Sequence, residues 1–274
     1  MNESGMSFSI CPEMLLEGFN LKEKISIVKK FGFNKIDLWG IRSQDSTILR
    51  RLLKENGVDL NSFSACRESS ATLANDRKNF IIELKNNLKI AHELKCPTLI
   101  LLTDGLLNSV PGASPPVTPA KPNYFSQSEK MANLQQALAI AGEEAEKADI
   151  LLCLEPLNTY DHPGYSLNNS REGFSIINTL KSKNIKIAYD IYHMSRMGEN
   201  ILDVLLSNIG SIGIIHFADV PGRFEPGTGK LDANLIINRI IDAGFNGTFE
   251  FECRPASTYR QALETISYLI SGYQ

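Results

Sequence analysis

Four short apolar stretches decide the fold, and each ends on an ionisable residue: ILLCLE (150–155), IKIAYD (185–190), IGIIH (212–216) and TFEFE (248–252). The terminal residues are Glu155, Asp190, His216 and Glu252. Three carboxylates and one imidazole at the same point of successive buried strands indicate one divalent metal site. Among common architectures, a closed barrel is the one that brings the ends of four parallel strands to a point.

The same alternation extends along the whole chain. Apolar runs end near eight positions: Cys11, Leu38, Ser64, Leu102, Glu155, Asp190, His216 and Glu252. Amphipathic segments of helical period separate them, as expected for parallel strands joined by helical crossovers. The pattern therefore predicts an α/β protein, a (β/α)₈ TIM barrel, with residues 1–274 as a single domain. An open doubly wound sheet would usually have a glycine-rich turn after its first strand, and CPEM (11–14) contains none.

Local signals mark the ends of two helices. Ser126 and Glu129 have the spacing of a capping box at the start of a long helix. Asp232 is a candidate cap for a helix that begins at Ala233, and Gly244 can end that helix in a left-handed turn.

Composition and charge exclude several classes of protein. The 274 residues are 43% hydrophobic and carry a net charge of −3, which disfavours a nucleic-acid-binding protein. The apolar runs are too short to span a bilayer, and residues 1–20 show no secretory signal. Five cysteines without a pairing pattern indicate reduced thiols. We therefore expect a cytoplasmic protein with no membrane and no nucleic-acid partner.

The connection after the fourth strand is unusual in length and composition. Residues 106–127 include five prolines: Pro111, Pro115, Pro116, Pro119 and Pro122. A loop this long inside a compact domain is commonly functional. In a barrel it would lie at the mouth, as a lid over the site or as a surface insertion.

The four terminal residues define a candidate metal centre. The carboxyl ends of barrel strands surround one mouth, so Glu155, Asp190, His216 and Glu252 would converge. Oxygen-rich ligation with one imidazole favours Mn²⁺ or Mg²⁺, with Zn²⁺, Co²⁺ and Fe²⁺ as alternatives. A single glutamate after an apolar run is usually a solvated loop residue, so the prediction depends on all four being in phase.

Glu155 and Glu252 would also form a pair of carboxylates that faces a bound substrate. Such a pair can remove a proton from one carbon and return it to another. A metal ion that holds adjacent oxygens of a hydroxy-carbonyl compound would stabilise the enediolate. This is the chemistry of aldose–ketose isomerisation or of epimerisation.

His193 and Arg223 are candidate substrate-binding residues. His193 could reach a substrate oxygen from the loop after Asp190, and Arg223 could hold a hydroxyl or carboxylate with its guanidinium. The alternatives are a packed loop histidine and a surface arginine.

Two further side chains near the strand ends need partners. Glu250 shares a strand face with Glu252, and we expect it to pair with Lys186 lower in the barrel. Trp39, at the end of the second strand, could stack on the apolar face of a sugar.

With these residues identified, the chain resembles the hydroxypyruvate isomerase branch of the xylose-isomerase-like barrel superfamily. The matching stretches are LEPLN (154–158) with PGY (163–165), YDIYHM (189–194), ADVPGR (218–223) with EPGTG (225–229), and FECRP (251–255). The resemblance implies a metal-dependent isomerase with Glu155 and Glu252 as its acid/base pair.

Ketose 3-epimerases of the same superfamily bind their metal with a Glu, Asp, His and Glu set. The matching positions here are Glu155, Asp190, His216 and Glu252, while His193 and Arg223 match the substrate-contacting pair. Hydroxypyruvate isomerases often carry Gln at the third position, so His216 makes the set more similar to that of the epimerases.

The sequence thus predicts a metal-dependent isomerase of a small hydroxy-carbonyl acid or sugar, with hydroxypyruvate to tartronate semialdehyde as the leading reaction. A ketose 3-epimerase or a keto-inositol dehydratase is the alternative among enzymes, and a non-catalytic sugar-binding barrel is the alternative of another class. A phosphodiesterase acting on abasic DNA would need more than the four histidines present. The expected partner is a small-molecule substrate. Homo-oligomers are common among such barrels, but no residue specifies a contact.

Overall fold

A computed structural model of the chain describes residues 5–106 and 125–273. It contains a closed parallel barrel with the strands β1 (Ser7–Ile10), β2 (Lys35–Leu38), β3 (Asp59–Ser64), β4 (Thr98–Leu101), β5 (Leu151–Leu154), β6 (Ile185–Asp190), β7 (Ile212–Phe217) and β8 (Thr248–Phe251). The strands pair in chain order, and β1 closes the barrel on β8, with Ser7 opposite Thr248. The predicted TIM barrel is confirmed, and all eight strands end within a residue or two of the expected positions. A single domain over residues 1–274 stays a prediction.

Helices connect each strand to the next. Within the described ranges they are α1 (Pro12–Leu15), α2 (Leu21–Lys30), α3 (Ser46–Asn56), α4 (Arg77–Leu94), α5 (Gln127–Ala148), α6 (Ser170–Leu180), α7 (Ile191–Arg196), α8 (Ile201–Asn208), α9 (Ala233–Asp242) and α10 (Tyr259–Ser271). Such crossovers are what parallel neighbours require, because a tight turn cannot return the chain to the same end of the sheet.

The predicted helix ends are confirmed by their hydrogen bonds. Ser126 and Glu129 form a reciprocal capping box at the start of α5. The Asp232 carboxylate accepts a hydrogen bond from the Leu235 N–H at the start of α9, and Gly244 follows that helix with a φ of 80°.

Apolar side chains pack in two places. The larger core lies between the barrel and its helices and includes Phe63, Phe80 and Phe249, all fully buried. A smaller cluster of Ile100, Cys153, Ala188 and Ile214 fills one side of the barrel interior, with Leu151 packed against it. This "apolar half" comes from β4 to β7.

The other side of the barrel interior is polar. Asn61 and Ser62 donate hydrogen bonds of 2.6 and 2.7 Å to Asp37 Oδ1. Thr248 donates to Asn61 at 2.8 Å and also contacts the Ser7 hydroxyl at 3.1 Å. We call these residues, together with the buried Glu250, the "polar half"; they come from β1, β2, β3 and β8.

Two sequence expectations concern other features of the chain. Residues 107–124 of the proline-rich loop lie outside the described residues, so its expected role as a lid stays a prediction. Among the residues that the structure describes, no helix has the length and hydrophobicity needed to cross a membrane.

Candidate metal centre and active site

The four predicted ligands meet at the carboxyl end of the barrel. Glu155 follows β5, Asp190 ends β6, His216 lies near the end of β7 and Glu252 follows β8. One ligand atom from each lies within 4.8 Å of every other, and all four residues are buried. Ligands on opposite sides of one ion are separated by about twice a bond length of roughly 2.0–2.2 Å. The group therefore has a donor set and spacing that fit one divalent cation.

A bulge in the barrel brings Asp190 and His216 to the same level. The pairing of β6 with β7 shifts at Gly213, so that Ile187 pairs with Ile212 but Asp190 pairs with His216. A Cβ at Gly213 would lie 2.6 Å from Cys153 Sγ, so a side chain there would collide with the apolar half. Glycine thus permits the extra residue that brings the two ligands side by side.

Asp190 is constrained by its position at the start of α7. Its carboxylate accepts a 2.9 Å hydrogen bond from the His193 N–H as the helix cap. Burial, together with the charges of Glu252 and Glu155, raises the pKa of Asp190 to about 7, while Arg223 and His216 oppose the shift. In the ion-free protein, burial and the neighbouring carboxylates thus outweigh the nearby positive charges.

His216 lies between two carboxylates. Its Nδ1 is 3.0 Å from Glu155 Oε1, and its Nε2 is 3.0 Å from Glu250 Oε2. Burial by itself lowers the pKa of the imidazole, but Glu250 and Glu155 raise it well above the ordinary value. Without a bound cation, the two carboxylates therefore favour the protonated imidazole.

Glu252 is held ionised by two donors. The Trp39 indole N–H donates a short hydrogen bond to Oε1, and Arg223 Nη2 donates to Oε2 at 2.8 Å. Burial favours the neutral acid, but the charges of Arg223 and His216 and these hydrogen bonds lower the pKa of Glu252 below its ordinary value. Trp39 thus contacts a predicted catalytic carboxylate, an interaction that the aromatic character of the residue did not indicate.

Arg223 reaches the centre from an unusual backbone conformation. Its φ of 59° is left-handed, and hydrogen bonds to Asp219 and from Arg254 hold it there. The guanidinium lies 5.1 Å from the centre of the Tyr192 ring and 3.9 Å from Asp190. With its side chain 13% exposed, it is a largely buried cation held by these contacts rather than a surface arginine.

The tautomer of His193 follows from the orientation of Asn158. The Asn158 side-chain oxygen accepts hydrogen bonds from the N–H groups of Tyr160 and Asp161. The amide nitrogen therefore faces His193 Nδ1, at 2.6 Å, and the Asn158 backbone N–H donates to the same atom. With Nδ1 an acceptor, Nε2 carries the proton. Burial and the charge of Arg223 lower the pKa of His193 well below its usual value, so the ring is a neutral donor.

A cavity of about 280 Å³ opens above these residues. Five of the six predicted site residues line it: Glu155, His193, His216, Arg223 and Glu252. The lining also includes Trp39, Arg67, His162 and Tyr192. The only sequence signal for their presence in the cavity is that they follow strand ends. The cavity extends down to Asp37 and Glu250 in the polar half.

The expected pairing of Glu250 with Lys186 is wrong. In the described part of the chain, the ion-pair partner of Glu250 is His216, its direct neighbour in the pairing of β7 with β8. Lys186 lies on β6, two strands away from β8. The same alternation of side chains along the two strands therefore does not place Lys186 beside Glu250.

A family model described as the xylose isomerase-like TIM barrel matches residues 25–269. The chain belongs to this family. The resemblance inferred from the sequence motifs is thereby confirmed.

Relatives of known name are isomerases and epimerases. Hydroxypyruvate isomerase of Escherichia coli (strain K12) is 35% identical over 142 residues, which is 52% of this chain and 55% of that protein. The match thus spans about half the length of that relative. The 3-dehydro-D-guloside 4-epimerase of the same organism is 27% identical over 259 residues, 89% of this chain and 93% of that protein. The family is one of enzymes, as expected.

Solved structures share the fold at low identity. A crystal structure named AP endonuclease, family 2, from Brucella melitensis has a TM-score of 0.85 at 18% identity and covers 100% of both chains. The IOLI protein with a bound zinc atom has a TM-score of 0.75 at 18% identity, covering 98% of this chain and 99% of that one. These likenesses concern the fold alone.

Proposed function

We propose that this protein is a metal-dependent isomerase of a small hydroxy-carbonyl acid or sugar, and that it converts hydroxypyruvate to tartronate semialdehyde. The observation that carries the proposal is the position of Glu155 and Glu252. They reach one buried ligand group from strands three apart in the barrel, at the floor of a cavity. The 35% identity to hydroxypyruvate isomerase supports this substrate.

The proposed cofactor is one divalent ion held by Glu155, Asp190, His216 and Glu252. Three carboxylates and one imidazole favour Mn²⁺ or Mg²⁺, and the zinc in the IOLI protein keeps Zn²⁺ and Co²⁺ as alternatives. A bound ion would supply positive charge to neighbouring substrate oxygens as negative charge develops on them.

The proposed proton transfers use the two glutamates. Glu252, held ionised by Arg223 and Trp39, removes a proton from C3 of hydroxypyruvate. The C–H electron pair forms the C2–C3 double bond of the enediolate while the π pair of the C2 carbonyl moves onto its oxygen. The proton then passes from Glu252 to Glu155 by exchange with solvent, and Glu155 delivers a proton to C2. The hydroxyl proton moves from the oxygen on C3 to that on C2, and the O–H electron pair left behind forms the C3 carbonyl. Both glutamates end ionised, as they began.

His193 and Arg223 are proposed to bind and orient the substrate. The neutral His193 can donate a hydrogen bond from Nε2 to a substrate oxygen while the ring stays uncharged. Arg223 is fixed by Glu252 and Asp190, so its remaining N–H groups can hold a substrate hydroxyl or carboxylate at a set distance from the base.

The test is a panel of hydroxypyruvate, tetruloses, fructose, psicose and tagatose incubated with the protein and Mn²⁺ in deuterated water. We expect solvent deuterium at the carbon next to the carbonyl of the true substrate, together with the isomerised product. Binding of a sugar without deuterium incorporation across the panel would favour a non-catalytic sugar-binding barrel.

A ketose 3-epimerase is the second candidate, because the 4-epimerase relative aligns with 89% of this chain. The same panel separates the two reactions. An epimerase would return a ketose with inverted configuration and deuterium at the inverted carbon, whereas an isomerase moves the carbonyl group. A keto-inositol dehydratase would release water and form a double bond.

The name of the Brucella structure suggests a nuclease as a further rival. Among the described residues, a single group of His, Cys, Asp and Glu has metal-ligand spacing, and the net charge is −3. Both features disfavour cleavage of a polyanionic DNA backbone.

A further inference from the structure

Glu250 lies directly below the candidate metal centre but does not belong to it. It lies on β8, two residues before Glu252, which directly follows the strand. Both side chains therefore point into the barrel, about 6.6 Å apart along the chain direction at roughly 3.3 Å per residue. The upper carboxylate belongs to the ligand group, and the lower one does not. Glu250 is 3% exposed, so a separate interaction must compensate for its burial.

The partner of Glu250 is the far nitrogen of His216. Glu250 Oε2 is 3.0 Å from His216 Nε2, while His216 Nδ1 is 3.0 Å from Glu155. Because Glu155 is in the ligand group and Glu250 is outside it, Nδ1 is the nitrogen that faces the group.

The contact is close in distance but poorly aligned. Among the described residues, both Nε2 and Oε2 are buried without a well-formed hydrogen bond. Two unsatisfied polar atoms 3.0 Å apart are costly, and a small adjustment of the ring would satisfy both at once.

We propose that Glu250 is a positioning residue that accepts the Nε2–H of His216 and thereby fixes Nδ1 as the metal-binding nitrogen. A carboxylate in this place selects the tautomer, sets the ring angle and makes the ligating nitrogen more basic. The proposal rests on the metal centre of the proposed function.

The decisive measurement is made on the wild-type protein. The chain contains four histidines, so ¹⁵N-histidine labelling of the zinc-loaded protein gives few enough signals to assign, with a His216→Gln sample to identify those of His216. We expect His216 to be metallated at Nδ1 and protonated at Nε2, with coupling to the Nε2 proton. Metallation at Nε2 in the wild-type protein would overturn the proposal.

Two substitutions then measure the contribution of Glu250. Glu250→Leu removes the acceptor, and we expect metal affinity, measured by titration of Co²⁺ with its visible absorption bands, to fall about 10- to 100-fold with altered bands. Glu250→Gln keeps an acceptor oxygen, so its metal affinity and its absorption bands should lie between those of Glu250→Leu and those of the wild-type protein. If Glu250→Leu does not fold, as judged by circular dichroism, the partial loss in Glu250→Gln carries the test.

The matched control is Asp37→Asn. Asp37 is equally buried in the polar half, but its hydrogen bonds come from Asn61 and Ser62. We expect this variant to change Co²⁺ affinity by less than about threefold and to leave the bands unchanged. Equal losses in Asp37→Asn and Glu250→Gln would reveal a general charge effect and overturn the positioning role.

These experiments also distinguish a failure of the proposed role of Glu250 from a failure of the proposed function. Wild-type protein that binds no ion and turns over no substrate would refute the metal centre itself. Wild-type protein that binds an ion and turns over substrate, with Glu250 variants of unchanged affinity and bands, would refute only the role of Glu250.

Discussion

The two halves of the barrel interior differ in what they contribute. The apolar half of Ile100, Cys153, Ala188 and Ile214 packs with almost no exposure. The polar half buries two carboxylates: Asp37, with a hydroxyl and an amide partner, and Glu250, beside the His216 imidazole. Burial raises the pKa of both carboxyl groups, and the charge of Asp37 raises that of Glu250 further. Burying these carboxylates adds little to the free energy of unfolding, because their desolvation offsets the interactions that they gain. Apolar packing is therefore concentrated on one side of the barrel, while the other side lies beneath the candidate ligand group and contacts it through Glu250.

Removal of metal should have the largest effect, because it acts on the ligand group that the polar half supports. Dialysis against a chelator should abolish turnover, and Mn²⁺ or Mg²⁺ should restore it, since the ion would stabilise the charge that forms on the substrate. The measurement is the rate on the substrate found by the panel, with metal content checked by elemental analysis. Full activity in verified metal-free protein would contradict the proposed mechanism.

Glu252→Gln should reduce turnover by at least about 10³-fold while the fold persists. The amide cannot accept the substrate proton, and it ligates a metal ion poorly. Circular dichroism and kcat together check this, with Glu264→Gln on the exposed face of α10 as the control. A near-normal kcat for Glu252→Gln would exclude it as the base.

The pH dependence of metal binding tests the two carboxylates around His216. Glu155 and Glu250 raise the pKa of the ion-free imidazole, so a metal ion must displace a proton from Nδ1. Affinity should therefore rise by about tenfold per pH unit as long as ion-free His216 is protonated, and fall as pH decreases. Calorimetry in buffers of different ionisation enthalpy should detect at least one proton released per ion near pH 7. Release of no proton would mean that His216 is already neutral.

A pair of core substitutions should have the smallest effects and sharpen the contrast between the halves. Ile214→Val removes one methylene group from the apolar half and should cost about 1 kcal/mol of unfolding free energy. Asn61→Ala removes a donor to Asp37 and an acceptor for Thr248, and should cost about 2 kcal/mol. Urea unfolding measures both, and Ile214→Val should leave Co²⁺ affinity unchanged. A change in affinity as large as that of Glu250→Leu would show that the apolar half also positions the ligands.

Much of the candidate site could be predicted because strand ends are local signals. An apolar run that stops at Glu155 or Asp190 places that residue at the mouth of a barrel, whichever position the strand has around the barrel. The prediction that the four candidate ligands lie at one mouth therefore needed only the fold class.

Contacts between strands could not be predicted in the same way. The glycine bulge at Gly213 sets the level of His216 against Asp190, and the order β6–β7–β8 gives Glu250 to His216 rather than to Lys186. Trp39 and Glu252 are more than two hundred residues apart, and no local pattern links them.

The barrel could be predicted from the amino-acid order alone, together with the ends of its strands and the four candidate ligands, because hydrophobic pattern and strand length are properties of short segments. Three features required the folded structure: the nitrogen of His216 that faces the candidate ligand group, the ring nitrogen of His193 that carries the proton, and the donors that hold Glu252 ionised. These features depend on the register between distant strands and on hydrogen bonds whose distances can vary by only a few tenths of an ångström. Both are set when the barrel closes.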